Sequence, residues 1–188
     1  MGRYLLAAAL SVAALLGQEF KLGSQVADFG LRDTGGGEVQ FSALRGPVTV
    51  VVFVATKCPV SNAYNDRMNA IYRDYGQRGV KFVFINSNQT EPAAEVAEHA
   101  REHFSFPVYK DDGSAVADRF GATVTPEAFV IDGTGVIRYH GSIDDSMALQ
   151  RVTENRLRNA LDEMLASKPV DPAETKAFGC TIKRRKSS

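Results

Sequence analysis

Beyond the N-terminal segment, the hydrophobic positions of the chain fall into two short runs and several spaced stripes. Val48 to Val54 is a β-branched run broken only by Phe53 and apolar but for Thr49, bounded by Gly46-Pro47 before it and Lys57-Cys58-Pro59 after it, the pattern of a strand buried on both faces. Lys81 to Asn86 is a second such run. Between them Val60, Tyr64, Met68, Ile71, Tyr72 and Tyr75 recur close to a 3.6-residue period. This stripe predicts a helix over 59–78 that stops at Gly76 and Gly79. Strand, helix and strand in this order make a βαβ unit, expected to be parallel and right-handed.

The remaining elements extend this unit into an α/β fold. An Ala- and Glu-rich stretch predicts a helix over 91–103 with Pro92 near its first turn. Phe106 to Tyr109 suggests a short extended segment, and Ser114 to Phe120 one or two helical turns closed by Gly121. Glu127 to Ile131 and Val136 to His140 flank a Gly-rich turn and predict an antiparallel hairpin. Residues 144–166 predict the last long helix, with Met147, Val152, Leu157, Leu161, Met164 and Leu165 available to a core. Phe29 to Leu31 and Val39 to Phe41, around Gly35 to Gly37, predict a small N-terminal hairpin. One domain is expected over 18–166, followed by a tail over 167–188 that contains Pro169, Pro172, Cys180 and a basic end.

Composition narrows the function classes. With 44% hydrophobic residues, 16 Gly, 7 Pro and 2 Cys in 188 residues, the chain is neither disordered, nor collagenous, nor a disulfide-rich miniprotein. Its 22 basic and 22 acidic residues cancel, so no broad basic field is available and nucleic acid is not an expected partner. Without Arg3 and the run Lys183 to Lys186 the body is mildly acidic; that run reads as a solvated, frayed end. At the front, Arg3 precedes the apolar run Leu5 to Leu16, too short to span a bilayer and of signal-peptide length. A cut near Gly17 is expected, making 1–17 a signal peptide; Leu15 suits that cut poorly, so a retained anchor is the alternative. The location expected is periplasmic or secreted, where disulfides are permitted, with membrane contact only if this segment is kept.

The chemistry centres on Cys58. It follows a buried strand and precedes Pro59, a residue favoured at the first helical position, which predicts the thiol at a helix N-cap. Unpaired backbone N–H groups and the positive end of the helix dipole favour an anion there, and a thiolate is the anion on offer. Ser61, one turn on, is placed to hydrogen-bond the sulfur through its hydroxyl. A lone cysteine is ordinarily a small buried hydrophobe; the strand-Cys-Pro-helix placement is what points to a nucleophile.

Cys58-Pro59-Val60-Ser61 at a strand-to-helix junction, with Val124-Thr125-Pro126-Glu127 leading into the hairpin, resembles the thioredoxin fold. More narrowly it resembles exported bacterial redoxins of the TlpA, ResA and AhpC/TSA type, over roughly residues 23–166. The resemblance implies a central mixed β-sheet flanked by helices. It also implies that Pro126 is a cis-proline facing the active cysteine and that Thr125 offers backbone hydrogen bonds to a bound peptide or mixed disulfide, with Pro59 beside them. The chain departs from the pattern at Ser61, which replaces the second thiol of Cys-x-x-Cys and makes a dithiol cycle inside the motif impossible. Cys-Pro-x-Ser also resembles the monothiol glutaredoxin site, which uses a small external thiol. The peroxiredoxin pattern Pro-x-x-x-Thr-x-x-Cys meets Val51 and Ala55 here, with Thr56 displaced by one. Where peroxiredoxins place an activating arginine this chain has Pro126, although Arg138 could approach the site.

Cys180 lies among Phe178, Gly179 and Ile182, side chains a disordered tail hardly needs, so this segment is expected to dock on the domain. The leading expectation is that Cys58 attacks a substrate disulfide or a hydroperoxide and Cys180 resolves it. A static bridge, worth about 4 to 5 kcal/mol on the chain-entropy model, and an unpaired or intermolecular thiol remain open. His99 and His103 share one helical face but read as surface histidines, and His140 as packed or solvent-facing; no metal or cofactor is expected. Glu127 could accept a proton near Cys58 if it points inward, and outward is as natural for a strand residue. The resulting expectation is a thiol-disulfide oxidoreductase acting on protein or small-molecule disulfides, or on hydroperoxides, with a redox partner. A peroxiredoxin-like thiol peroxidase and a non-catalytic binding module are its rivals.

Overall fold

The computed structural model describes residues 19–185, so the expected export segment and Lys186 lie outside the described residues. The first strands, β1 (Gly30–Arg32) and β2 (Glu38–Gln40), form the N-terminal hairpin and are followed by one turn of helix, α1 (Phe41–Leu44). The central strand β3 (Val48–Phe53) sends Val50 and Val52 to one face and Val51 and Phe53 to the other, all buried. That is why its sequence is a continuous β-branched run. After it come α2 (Pro59–Asn62), α3 (Asn65–Gly76), β4 (Lys81–Asn86), α4 (Ala93–His103), β5 (Val108–Lys110) and α5 (Ala115–Phe120). The chain continues through β6 (Val124–Thr125), β7 (Glu127–Asp132), β8 (Ile137–Gly141), α6 (Arg156–Leu165) and β9 (Cys180–Thr181).

The main sheet has the order β2-β1-β5-β4-β3-β7-β8. β3, β4 and β5 run parallel, while β7 pairs antiparallel with β3 and β8, giving the mixed sheet of a thioredoxin-like fold. Met68, Ile71 and Tyr75 of α3, Val96 of α4, and Leu157 and Leu161 of α6 cover one face. Phe41, Phe120 and the N-terminal Phe20 and Val26 cover the other.

Three of the expected helices need correction. The helix predicted over 59–78 is two helices, because the ladder tightens to a three-residue bond from Tyr64 N–H to Ser61 O at the join. The helix predicted from 91 begins at Ala93 with Pro92 as its cap, leaving Glu91 free for another task. The last helix starts at Arg156, not at 144. Asp144 accepts the Tyr64 hydroxyl at 2.6 Å and pairs with Arg67, while Asp145 accepts the Thr153 N–H and hydroxyl, so these carboxylates hold the backbone as a loop. Met147 in that loop is 48% exposed instead of joining the core.

The C-terminal segment docks along much of its described length. Ala173 and Thr175 hydrogen-bond to both sides of His140 on β8, and Gly141 is required there because a Cβ would overlap Thr175. Ile182 is only 3% exposed within the second core, and Phe178 packs edge-on against Tyr64. Lys183 and Arg184, expected to be frayed, are held by Asn88, Gln89 and Asp118.

Candidate active site

Cys58 caps α2 with extended backbone angles, and Pro59 occupies the first turn, where its missing N–H costs nothing. The Cys58 sulfur accepts the Ser61 N–H at 3.2 Å. With α2 only four residues long, this local N–H, more than a long helix dipole, is what favours a thiolate. The Ser61 hydroxyl does not reach the sulfur as expected. It is fully buried and accepts the Ala55 N–H at 3.2 Å, fixing the turn that leads into Cys58. The Thr125 carbonyl oxygen lies 3.4 Å from the same sulfur, an acceptor for a protonated thiol and a source of repulsion for a thiolate.

Cys180 is disulfide-bonded to Cys58 across 122 residues, with 5.8 Å between their Cα atoms. The strand that carries it, β9, pairs antiparallel with β6, placing Cys180 opposite Thr125 and Thr181 opposite Val124. Thr125 precedes a cis peptide bond to Pro126. The chain thus lays its own extended segment along the residue that precedes the cis-proline, with the Thr125 carbonyl beside the Cys58 sulfur. Gly179 allows this approach, since a Cβ at that position would overlap the Thr125 carbonyl oxygen.

A polar network that sequence patterning did not reveal holds the other side of Cys58. Glu91 is buried, and its carboxylate accepts the N–H groups of Thr56 and Lys57, both at 2.9 Å, together with the Asn86 amide at 2.6 Å. Beneath it the buried Lys110 ammonium donates to Asn86 Oδ1, Asn88 O and Glu91 O at 2.9 to 3.0 Å. Burial pulls the Lys110 pKa down, opposed by the charges of Glu91, Asp112 and Asp111. The only trace of this network in the sequence is the polar run Asn86-Ser87-Asn88 at the end of a buried strand.

Glu127 points inward. One carboxylate oxygen accepts the Thr123 and Val124 N–H groups, and the other lies 2.6 Å from His140 Nε2. Glu127 therefore braces β6, and His140 stacks on Phe129 while its Nδ1 faces Glu174 at 3.5 Å. Arg138 does not approach the cysteines: it pairs with Asp132 at the opposite end of β7 from Pro126. His99 and His103 contact each other on α4, and among the described residues no group of three His, Cys, Asp or Glu side chains is gathered for a metal ion.

Comparison with known proteins gives a consistent picture. The AhpC/TSA family model matches residues 22–140. The thiol-disulfide oxidoreductase ResA of Halalkalibacterium halodurans is 28% identical over 130 residues, covering 68% of this chain and 73% of its own. Glutathione peroxidase 1 of Helianthus annuus is 36% identical over 62 residues, covering 33% of this chain and 37% of its own. Among solved structures, an uncharacterised conserved protein of Geobacillus kaustophilus superposes with a TM-score of 0.83 at 30% identity, covering 90% of this chain and 95% of that one.

Proposed function

Because the chain belongs to the AhpC/TSA family, we propose that it is a thiol-disulfide oxidoreductase whose working couple is Cys58 and Cys180. The observation that carries this reading is the bond between an N-cap cysteine and a cysteine laid on the cis-proline strand. The kinship with ResA supports the same chemistry. In the reduced form the Cys58 thiolate attacks one sulfur of a substrate disulfide, forming a mixed disulfide and releasing the other sulfur as a thiolate. The Cys180 thiolate then attacks the Cys58 sulfur. The Cys58–Cys180 bond forms, the second substrate thiolate leaves, and two electrons have passed from the protein to the substrate. The reverse sequence oxidises a dithiol.

Thr125, Pro126 and Pro59 frame the substrate sulfur, and Ser61 supplies the N–H that favours the attacking thiolate. A disulfide-bonded form suits a periplasmic or secreted location, in keeping with the apolar N-terminal run. A second reading, reduction of hydroperoxides, draws on the sunflower peroxidase match and on the strand position already being occupied by β9, which favours small oxidants. There Cys58 becomes a sulfenic acid as the alcohol leaves, and Cys180 displaces water to close the same bond.

The test is stopped-flow mixing of reduced protein with one equivalent of a model disulfide or of hydrogen peroxide, followed by alkylation and intact mass. Rapid loss of both thiols to an intramolecular bond with the disulfide supports the oxidoreductase; faster closure with peroxide favours the second reading. Thiols inert to both would overturn the two together.

A further inference from the structure

The loop from Asn86 to Glu91 touches the flanks of both cysteines. On one side Glu91 holds the N–H groups of Thr56 and Lys57, immediately before Cys58. On the other, Asn88 Oδ1 accepts the Lys183 N–H at 2.8 Å and the Gln89 N–H donates to Lys183 O at 2.8 Å, three residues beyond Cys180. The loop is anchored from below by Lys110 and by the Ser87 hydroxyl on Asp111. Asn88 has an unusual balance. Its Oδ1 serves Lys183, while its Nδ2 is buried with no hydrogen-bond partner among the described residues. The bond from the Lys183 N–H is the one hydrogen bond this side chain makes among the described residues, so what the amide contributes is its hold on the C-terminal segment.

Resting on the Cys58–Cys180 couple proposed above, we propose that this loop, through Asn88, is the positioning element for disulfide closure. Glu91 fixes the loop before Cys58, and Asn88 with Gln89 seats the strand that delivers Cys180, so one rigid mount sets the approach of the two sulfurs. Asn88 touches neither sulfur; it acts by raising the effective concentration of Cys180 at Cys58. The hydrogen bond to Lys183 is made only when the segment is seated, so it favours the closed form over any arrangement in which Cys180 is withdrawn from Cys58.

The test is the equilibrium of the Cys58–Cys180 couple with a glutathione redox buffer, read by alkylation, in the wild-type chain, Asn88→Ala and Lys183→Pro. The Lys183→Pro change removes the N–H from the C-terminal side and alters no residue of the core loop, so it stands even if Asn88→Ala folds poorly. Each variant is expected to lower the effective concentration by about threefold to tenfold, the worth of one hydrogen bond. In a Cys180→Ser background, Asn88→Ala is expected to leave the rate of Cys58 alkylation unchanged. An unchanged effective concentration in both variants, or an equal loss of Cys58 reactivity in the Cys180→Ser background, would overturn the positioning role. Failure of the couple itself is distinct: the wild-type chain would then form no Cys58–Cys180 bond in any buffer.

Discussion

Ser61 occupies the place where a second thiol stands in related redox motifs, yet its hydroxyl is committed to the Ala55 N–H. Ser61→Ala should therefore act on stability more than on nucleophilicity. Leaving that buried N–H unpaired is expected to cost about 1 to 3 kcal/mol, seen as a lower urea midpoint, while the pH profile of Cys58 alkylation in the reduced protein stays in place. A shift of that profile would mean that the hydroxyl reaches the sulfur after all. Asp132 makes a second prediction at this scale. Burial pushes its carboxyl up, but the hydrogen bonds of the Thr134 hydroxyl, the Val136 N–H, Arg138 and the Thr134 N–H outweigh that and hold its pKa at about 2. A folded pKa below the unfolded value contributes stability above the unfolded pKa and loses it as pH falls through the folded one. The contribution, about 2 kcal/mol, should be complete above roughly pH 4 and fade toward pH 2. Urea titrations of the wild-type chain and Asp132→Asn should differ at neutral pH and converge in that window; a constant gap would refute the assignment. The placement of Cys58 and Pro59 at a helix start was legible in the sequence because it follows from backbone chemistry next to them, whereas the cis bond at Pro126 was legible only through the resemblance to the thioredoxin fold. Glu91, Asn88 and Lys110 were not, because their partners lie some 20 to 95 residues away in the chain.

At the level of elements, periodicity located β3, β4 and the β7–β8 hairpin because their side chains face uniform surroundings. It failed at 144–155, where Asp144 and Asp145 override an apolar spacing that would suit a helix. It also missed β9, a two-residue strand whose pairing depends on β6 more than on any pattern of its own. Gly179 controls that pairing. Gly179→Ala should push β9 off the Thr125 carbonyl and lower the effective concentration of Cys180 by about tenfold or more, a larger loss than from a single hydrogen bond. The glutathione equilibrium measures it directly, and a wild-type value would mean that the strand tolerates a side chain there.

For the molecule as a whole, the disulfide ties the C-terminal segment to the sheet across 122 residues. Chain entropy sets an upper limit of about 5 kcal/mol on its stabilisation. The segment also buries Ile182 and hydrogen-bonds β8, so Cys180→Ser should cost less than that limit while the sheet still folds. Urea unfolding of the oxidised wild-type chain against Cys180→Ser gives the difference, and a loss of folding altogether would show that the bond is needed to build the domain and not only to fasten the segment. The separation of the two cysteines has a further consequence in time. At about 5 to 20 residues per second, ribosomal synthesis would put roughly 6 to 24 seconds between them, and strands β4 to β8 are all made in that interval. Cys58 must therefore pass its first moments as a lone thiol in a nascent domain, exposed to whatever oxidant or thiol it meets, until the segment that will cover it has been made.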